Sequence, residues 1–92
     1  MNSNETKYTK DFLERSHKGC FCNKEEILQG ELCGCFFCCE TSLPTEITEW
    51  IVEKDNLGET AVCPKCNMDS VLGSKYPIKD ETFLKEMNEH NF

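Results

Sequence analysis

The side chains in this sequence that suit chemistry best are cysteines, and four of them have the spacing of a metal site. Cys35 and Cys38 form one Cys-x-x-Cys pair, Cys63 and Cys66 form a second, and 24 residues separate the pairs. Two intervening residues let both sulfurs of a pair converge on one ion at about 2.3 Å. Four thiolates fill a tetrahedral coordination sphere, so no position stays open for water or substrate. The pattern therefore predicts one structural Zn²⁺ ion and no catalytic metal.

Two alternatives to zinc stay open. Four thiolates also hold iron in rubredoxin-type electron carriers. Those proteins favour glycine directly after each pair, whereas this chain has Cys39 and Asn67 at those positions, which makes iron the less favoured metal. The other alternative is disulfides or reduced, buried thiols. Because the first ten residues are polar and lack a signal-peptide pattern, we expect a cytoplasmic protein, in which clustered cysteines more often bind metal.

The remaining cysteines leave the ligand register open. Cys33 and Cys39 flank the first pair closely enough that either could replace one of its members. A second, weaker metal site or a redox switch is a further candidate, although Cys-x-Cys chelates less well than Cys-x-x-Cys; the alternative is that these thiols are packed or lie on the surface. Its members would be His17, Cys20, Cys22 and Cys33.

Length, composition and charge limit the fold and the partners. The chain has 92 residues, and its hydrophobic fraction of 38% includes eight cysteines. So small a core needs additional stabilisation, which a metal ion supplies. The net charge of −7 disfavours nucleic acid and suits a basic protein partner. No segment is long and apolar enough to span a membrane, so we expect no membrane partner.

The order of patterns along the chain predicts a small α+β fold. We expect a single domain over residues 1–92, with a zinc-ribbon or rubredoxin-like knuckle and β-hairpin at its centre and short helices at both ends. Residues 1–7 are expected to be disordered, 8–30 to form the N-terminal helices, 33–75 to carry the knuckles and hairpin, and 76–92 to form the C-terminal helix.

Helix-end signals give more local predictions. Asn23 followed by Glu26 is a capping-box pattern, in which each side chain bonds the other residue's backbone N–H. Gly30 suits the left-handed position after that helix. Asp80 is expected to cap the last helix, and Phe92 to close it against the domain.

Three aromatic residues are candidates for structure or for recognition. Trp50 is the only tryptophan, and we expect it to cover the metal core. The alternative is that Trp50 is exposed beside Phe36 and Phe37 and that the three anchor a protein partner, because buried aromatic anchors dominate many interfaces.

No catalytic residue is assigned. His17 is expected to cap the C-terminal end of its helix, where positive charge is stabilised. Asp69 and Ser70 are expected to hydrogen-bond their own loop. No histidine lies between Cys35 and Cys66, which disfavours a nuclease built around the metal loops. We therefore expect a protein that is not an enzyme.

A series of motifs extends over roughly residues 16–92. In order they are Ser16-His17, Asn23-Lys24-Glu25-Glu26-Ile27, Cys33-Gly34-Cys35-Phe36-Phe37-Cys38, Glu46-Ile47-x-x-Trp50, Thr60-Ala61-Val62-Cys63-Pro64-Lys65-Cys66, Asp69-Ser70-Val71-Leu72-Gly73, Tyr76-Pro77-Ile78 and Phe83-Leu84-x-x-Met87. They resemble those of a family of small uncharacterised bacterial proteins described as cytoplasmic proteins. The resemblance implies a zinc-ribbon or rubredoxin-like domain and carries over no activity. Cys20 and Cys22 depart from the family pattern, which has polar residues there.

These observations favour a binding module over an enzyme. A bacterial or phage regulatory factor that contacts another protein, with an immunity or anti-defence role, fits the size and acidity of the chain. The alternative is a redox protein, either an iron electron carrier or a zinc-thiolate switch. A metal-dependent hydrolase using His17 or Asp69 is the least favoured hypothesis.

Overall fold

Three helices and two small antiparallel sheets make up the part of the chain that a computed structural model describes, residues 6–92. The helices are α1 (Lys10–His17), α2 (Lys24–Gln29) and α3 (Glu81–Asn91). The strands are β1 (Cys33–Cys35), β2 (Thr41–Ser42), β3 (Trp50–Val52), β4 (Glu59–Ala61) and β5 (Val71–Gly73). The predicted small α+β class is confirmed. None of the described helices has the length and apolar character needed to cross a lipid bilayer.

The two sheets fix where the cysteine pairs lie. One sheet has the order β2-β1-β5, with β1 antiparallel to both neighbours, and the other is the predicted β3–β4 hairpin. In the first sheet Cys35 lies opposite Val71, and in the hairpin Trp50 lies opposite Ala61. The first cysteine pair therefore begins at the end of β1, and the second pair follows β4 and precedes β5.

Alternation along β1 and β5 divides the interior into two clusters, because successive side chains of a strand point to opposite faces. The cluster on the helical side consists of Leu13, Phe36, Leu72, Ile78, Phe83, Leu84 and Met87. The cluster on the sulfur side consists of Ile27, Cys33, Cys35, Ile47, Ala61, Cys63 and Val71. Between Cys33 and Cys35, Gly34 faces the helical side, where an added Cβ would lie 3.0 Å from the Cβ of Ile78.

Helix α1 begins later than the sequence suggests because Thr9 caps it. The Thr9 hydroxyl accepts a hydrogen bond from the Phe12 backbone N–H at 3.1 Å. Tyr8 consequently lies outside the helix, where its ring contacts the rings of Phe12 and Phe83 and its hydroxyl donates to Asp80. These contacts join the start of α1 to α3.

The expectation of disorder over residues 1–7 is only partly addressed, because residues 1–5 lie outside the described part of the chain. Lys7 is held against the C-terminal helix. Its backbone N–H donates to Glu86 Oε2 at 2.8 Å, and its ammonium lies 2.6 Å from Asp80 Oδ2. Two contacts to one helix therefore fix the chain just before α1.

Two local predictions around α2 are wrong. The Asn23 side chain makes no capping bond, and Gly30 has an extended backbone with φ of −96° in place of a left-handed one. Glu26 instead accepts a weak hydrogen bond from the Lys75 backbone N–H at 3.4 Å. The prediction for the last helix is confirmed, since Asp80 accepts from the Thr82 N–H at 2.9 Å.

Asn23 instead makes tertiary hydrogen bonds to three other segments of the chain. Its side chain is buried, and its amide nitrogen donates to the carbonyls of Gly19 and Val71 at 3.1 and 2.7 Å. Its amide oxygen accepts from the Ala61 N–H at 3.1 Å. One side chain therefore joins the segment after α1, strand β5 and strand β4, and so connects the two sheets.

Replacing Asn23 with alanine should lower the free energy of unfolding by about 2–4 kcal/mol, because a buried carbonyl, a part-buried carbonyl and a buried N–H lose their partners. Denaturant unfolding followed by circular dichroism measures this change. Gln29→Ala is the matched control, since that side chain is exposed on the same helix. Equal, small effects of the two substitutions would contradict the bridging role of Asn23.

Candidate metal centre

Four cysteine sulfurs converge at one point between the two sheets. The ligand atoms of Cys35, Cys38, Cys63 and Cys66 all lie within 4.8 Å of one another. The Sγ atoms of Cys35 and Cys66 are 3.6 Å apart, and those of Cys38 and Cys63 are 3.8 Å apart. A tetrahedron with zinc–sulfur bonds of 2.3 Å has edges of about 3.8 Å. The spacing therefore fits a metal ion with four thiolate ligands, and both zinc and iron accept that donor set.

The two cysteine pairs have the same local geometry around their first sulfur. The backbone N–H of Phe37 points at Cys35 Sγ, and the backbone N–H of Lys65 points at Cys63 Sγ, with a nitrogen–sulfur distance of 3.4 Å in both. In each pair the first cysteine's own N–H bonds the carbonyl five residues later, at 2.9 Å and 2.8 Å. These bonds fold each pair into a tight knuckle that aims both sulfurs inward.

The residue after each knuckle has a left-handed backbone. Cys39 has φ of 61° and Asn67 has φ of 66°. Left-handed geometry is strained for side chains other than glycine, although asparagine tolerates it. These positions are the ones where rubredoxin-type proteins favour glycine. The chain thus keeps the backbone geometry while departing from that residue preference.

Backbone donors and burial pull the pKa values of the sulfurs in opposite directions. Burial by itself raises the pKa of Cys63, but the N–H groups of Lys65 and Cys66 outweigh it and hold that pKa below its usual value. Burial raises the pKa of Cys38 and raises that of Cys66 to about 11. The sulfurs therefore do not all ionise by themselves at neutral pH. A bound cation supplies the charge that lets all four become thiolates.

Ser70 belongs to the site, although its sequence position did not identify it. Its hydroxyl lies 3.1 Å from Cys35 Sγ, and the side chain is 3% exposed. Its backbone carbonyl accepts from the Phe36 N–H at 3.0 Å, so the residue is fixed by the pairing of β1 with β5. From the sequence, Ser70 was expected to bond its own loop, because no local pattern shows that it lies beside a sulfur 35 residues earlier. Asp69 next to it is exposed.

The flanking cysteines, Cys33 and Cys39, do not join the four-sulfur cluster. Cys33 Sγ lies 3.3 Å from the Ser42 carbonyl oxygen, and Cys39 Sγ lies 3.6 Å from the Leu84 carbonyl oxygen. Neither belongs to the group of ligand atoms brought together. The four sulfurs that come together are therefore those of the two Cys-x-x-Cys pairs, and neither Cys33 nor Cys39 replaces one of them.

The candidate members of a second metal site are not brought together. Within residues 6–92 the four-cysteine cluster is the one group of three or more cysteine, histidine or acidic side chains close enough to share an ion. His17 bonds Asn91 instead, with Nδ1 2.6 Å from Oδ1. The proposed members of that site were His17, Cys20, Cys22 and Cys33.

The three aromatic candidates for partner binding have different environments. Trp50 is partly buried against the sulfur-side cluster, and the Lys24 ammonium lies 5.1 Å from its ring centroid. Phe36 is 1% exposed, so it is part of the core and offers no surface. Phe37 is 43% exposed and meets the ring of Phe92 edge-on at 4.9 Å.

Replacing Cys39 with glycine should leave one metal ion bound per chain, whereas Cys38→Ala should lose it. The Cys39 sulfur faces α3, and glycine relieves its left-handed backbone, so we expect unfolding free energy to change by less than about 1 kcal/mol. Native mass spectrometry gives the metal count, and denaturant unfolding gives the stability. Loss of metal from Cys39→Gly together with retention by Cys38→Ala would show that Cys39, and not Cys38, is the ligand.

Kinship with known proteins would be a separate line of support for a metal site of this kind. A related protein would share the two knuckles of equal geometry and the four converging sulfurs. Searches of protein-family models, curated proteins and solved structures found no match to the chain.

Proposed function

We propose that this protein is a binding module whose fold is stabilised by one structural zinc ion at Cys35, Cys38, Cys63 and Cys66. The observation that supports it most directly is the sulfur–sulfur spacing, 3.6 and 3.8 Å across the two knuckles, which matches the edges of a zinc–thiolate tetrahedron. Four protein ligands leave no open coordination position, which is typical of structural sites. The absence of glycine after each knuckle favours zinc over iron.

The position of the cluster explains what zinc would do. The first knuckle connects β1 to β2, and the second connects β4 to β5. Zinc would therefore join the three-stranded sheet to the hairpin, two units with strands of only two or three residues. Sheets so short need further support in water. This arrangement of knuckles and hairpin supports a zinc-ribbon-like fold, in line with the resemblance to small bacterial proteins.

The partner that we propose is another protein. Seventeen acidic and ten basic side chains give the chain its negative charge, so a basic partner surface would be attracted and phosphate backbones repelled. Phe37 offers an exposed ring next to the knuckle that zinc would hold rigid. A small regulatory factor of a bacterium or phage, with an immunity or anti-defence role, fits these properties.

The alternative function is redox chemistry, and one observation favours it. Cys38 and Cys66 are partly exposed, whereas Cys35 and Cys63 are buried. An oxidant or an electron-transfer partner could therefore approach the cluster from the side of the second cysteine of each knuckle. An iron carrier and a zinc-thiolate switch both use such access.

Native mass spectrometry of protein made in a reducing cytosol should show one zinc ion per chain. Removing it with a chelator should unfold the sheets, because metal binding and folding are coupled in small zinc domains. Far-ultraviolet circular dichroism measures the loss, and zinc added back should reverse it. Cys66→Ser should behave like the chelated protein, with Cys39→Gly as the matched control.

Other outcomes of that measurement separate the alternatives. A red protein with visible charge-transfer bands would identify iron and remove the zinc proposal. Release of zinc with disulfide formation under mild peroxide would favour the switch. A folded protein without any metal would contradict both the structural-zinc proposal and the redox alternative.

Replacing the exposed Phe37 with serine should remove binding of the protein partner while leaving zinc content unchanged, because truncating an aromatic anchor weakens interfaces strongly. Cross-linking in the producing cell, followed by mass spectrometry, measures the partner yield. Leu43→Ser is the matched control, since Leu43 is also exposed, at 52% against 43% for Phe37. Equal yields from both variants would contradict a role for Phe37.

A further inference from the structure

A cleft of about 570 Å³ opens beside the metal centre and contains none of its four sulfurs. Its walls come from the turn after α1, from residues 68–70 after the second knuckle, and from Phe92. Clefts that hold small molecules have volumes of about 300–1,000 Å³. The volume therefore suits a small molecule.

Aromatic rings form the apolar walls of this cleft. Phe36 is a buried wall residue, and Phe21 and Phe92 also line it while being 51% and 59% exposed. The ring centroids of Phe36 and Phe92 are 5.9 Å apart. Two exposed aromatic side chains in one cleft favour a planar ligand, because offset and edge-to-face contacts between rings are stabilising.

The hydrogen bonds of Asn91 indicate which ring nitrogen of His17 is a hydrogen-bond acceptor. The Asn91 amide nitrogen donates to the Met87 carbonyl at 2.8 Å, so its amide oxygen faces His17. That oxygen accepts from Nδ1 of His17, so Nε2 is the acceptor of the neutral ring. His17 is exposed, and within residues 6–92 no protein group is hydrogen-bonded to its Nε2. A ligand with an N–H group would satisfy it.

The charged groups of the cleft argue against a charged ligand. Lys18 and Asp69 both line it, and their opposite charges balance. Neither forms an ion pair with another side chain in the described range, 6–92. The chain as a whole is acidic, which further disfavours an anion such as a phosphate. A ligand without net charge fits this environment best.

We propose that this cleft binds a neutral, planar aromatic small molecule whose ring N–H donates to Nε2 of His17. Its rings lie against the exposed rings of Phe21 and Phe92. The cleft shares Ser70 with the metal centre but none of its four sulfurs, and it does not depend on which metal they bind.

Two probes of similar shape test the proposal on the protein as purified with its metal. Indole carries a ring N–H, and benzothiophene has the same bicyclic outline without one. Titration of each, followed by amide shifts in ¹H–¹⁵N spectra, should move signals of residues 17–21 and 68–70. Indole should bind about fivefold more tightly, the usual effect of one added hydrogen bond.

Variants separate the ring contacts from the hydrogen bond. Phe21→Ala should weaken both probes by about two- to tenfold, because it removes one aromatic contact. His17→Phe keeps a ring but removes the acceptor, so it should abolish the difference between the probes. Val52→Ala, on the exposed strand of the hairpin, is the control and should change neither affinity. Unchanged spectra elsewhere show that each variant is folded.

Three results would overturn the proposal. The first is shifts scattered over the surface or absent up to the solubility limit. The second is equal affinity of both probes for the unmodified protein. The third is binding of a tryptophan-containing peptide without binding of free indole, which would make the cleft a peptide-docking surface. Native mass spectrometry of the same sample reports its zinc, so a failure here is distinguishable from failure of the metal proposal.

Discussion

The interaction on which this fold depends is the approach of four cysteine sulfurs to within 4.8 Å of one another. The raised pKa values of Cys38 and Cys66 follow from burial, so the chain by itself does not favour four thiolates there. A cation changes that balance, because it replaces mutual repulsion with attraction at one point. The sheets on either side have strands of two or three residues, too short to hold the knuckles in register alone. The four cysteines are therefore core residues that are also positioned to bind a metal ion.

A single sheet divides this interior into two clusters with different chemistry. On one face of β1 and β5, aliphatic and aromatic side chains pack under α1 and α3. On the other face, sulfurs take the place that larger apolar side chains would fill in a bigger protein. Asn23 links the two sheets with three hydrogen bonds, two of which are buried. The helical face could persist without metal more readily than the sulfur face, because its contacts are apolar.

The sequence predicted the features that depend on local spacing. Two Cys-x-x-Cys pairs, a turn between β-prone segments and an aspartate before an apolar run each have a local cause, and the four-sulfur group, the β3–β4 hairpin and the Asp80 cap are all present. The residues it misjudged are controlled by distant contacts. Asn23 had a capping pattern, but its buried position offers two carbonyls and an N–H from other elements. Ser70 reaches a sulfur only because β5 pairs with β1, and no local pattern indicates that pairing.

The cleft and the metal centre are neighbours for a structural reason. Met68, Asp69 and Ser70 follow directly after the second knuckle, and the Met68 carbonyl accepts the N–H of Cys63. Phe36 follows Cys35 in the first knuckle and donates its N–H to Ser70. The knuckles that carry the four cysteines thus hold the backbone of both walls, whereas His17 and Phe21 come from the segment around the end of α1. A small cleft can keep its shape only if such walls are rigid. A metal centre without an open coordination position can in this way shape a neighbouring cleft, by holding the loops that form part of its walls.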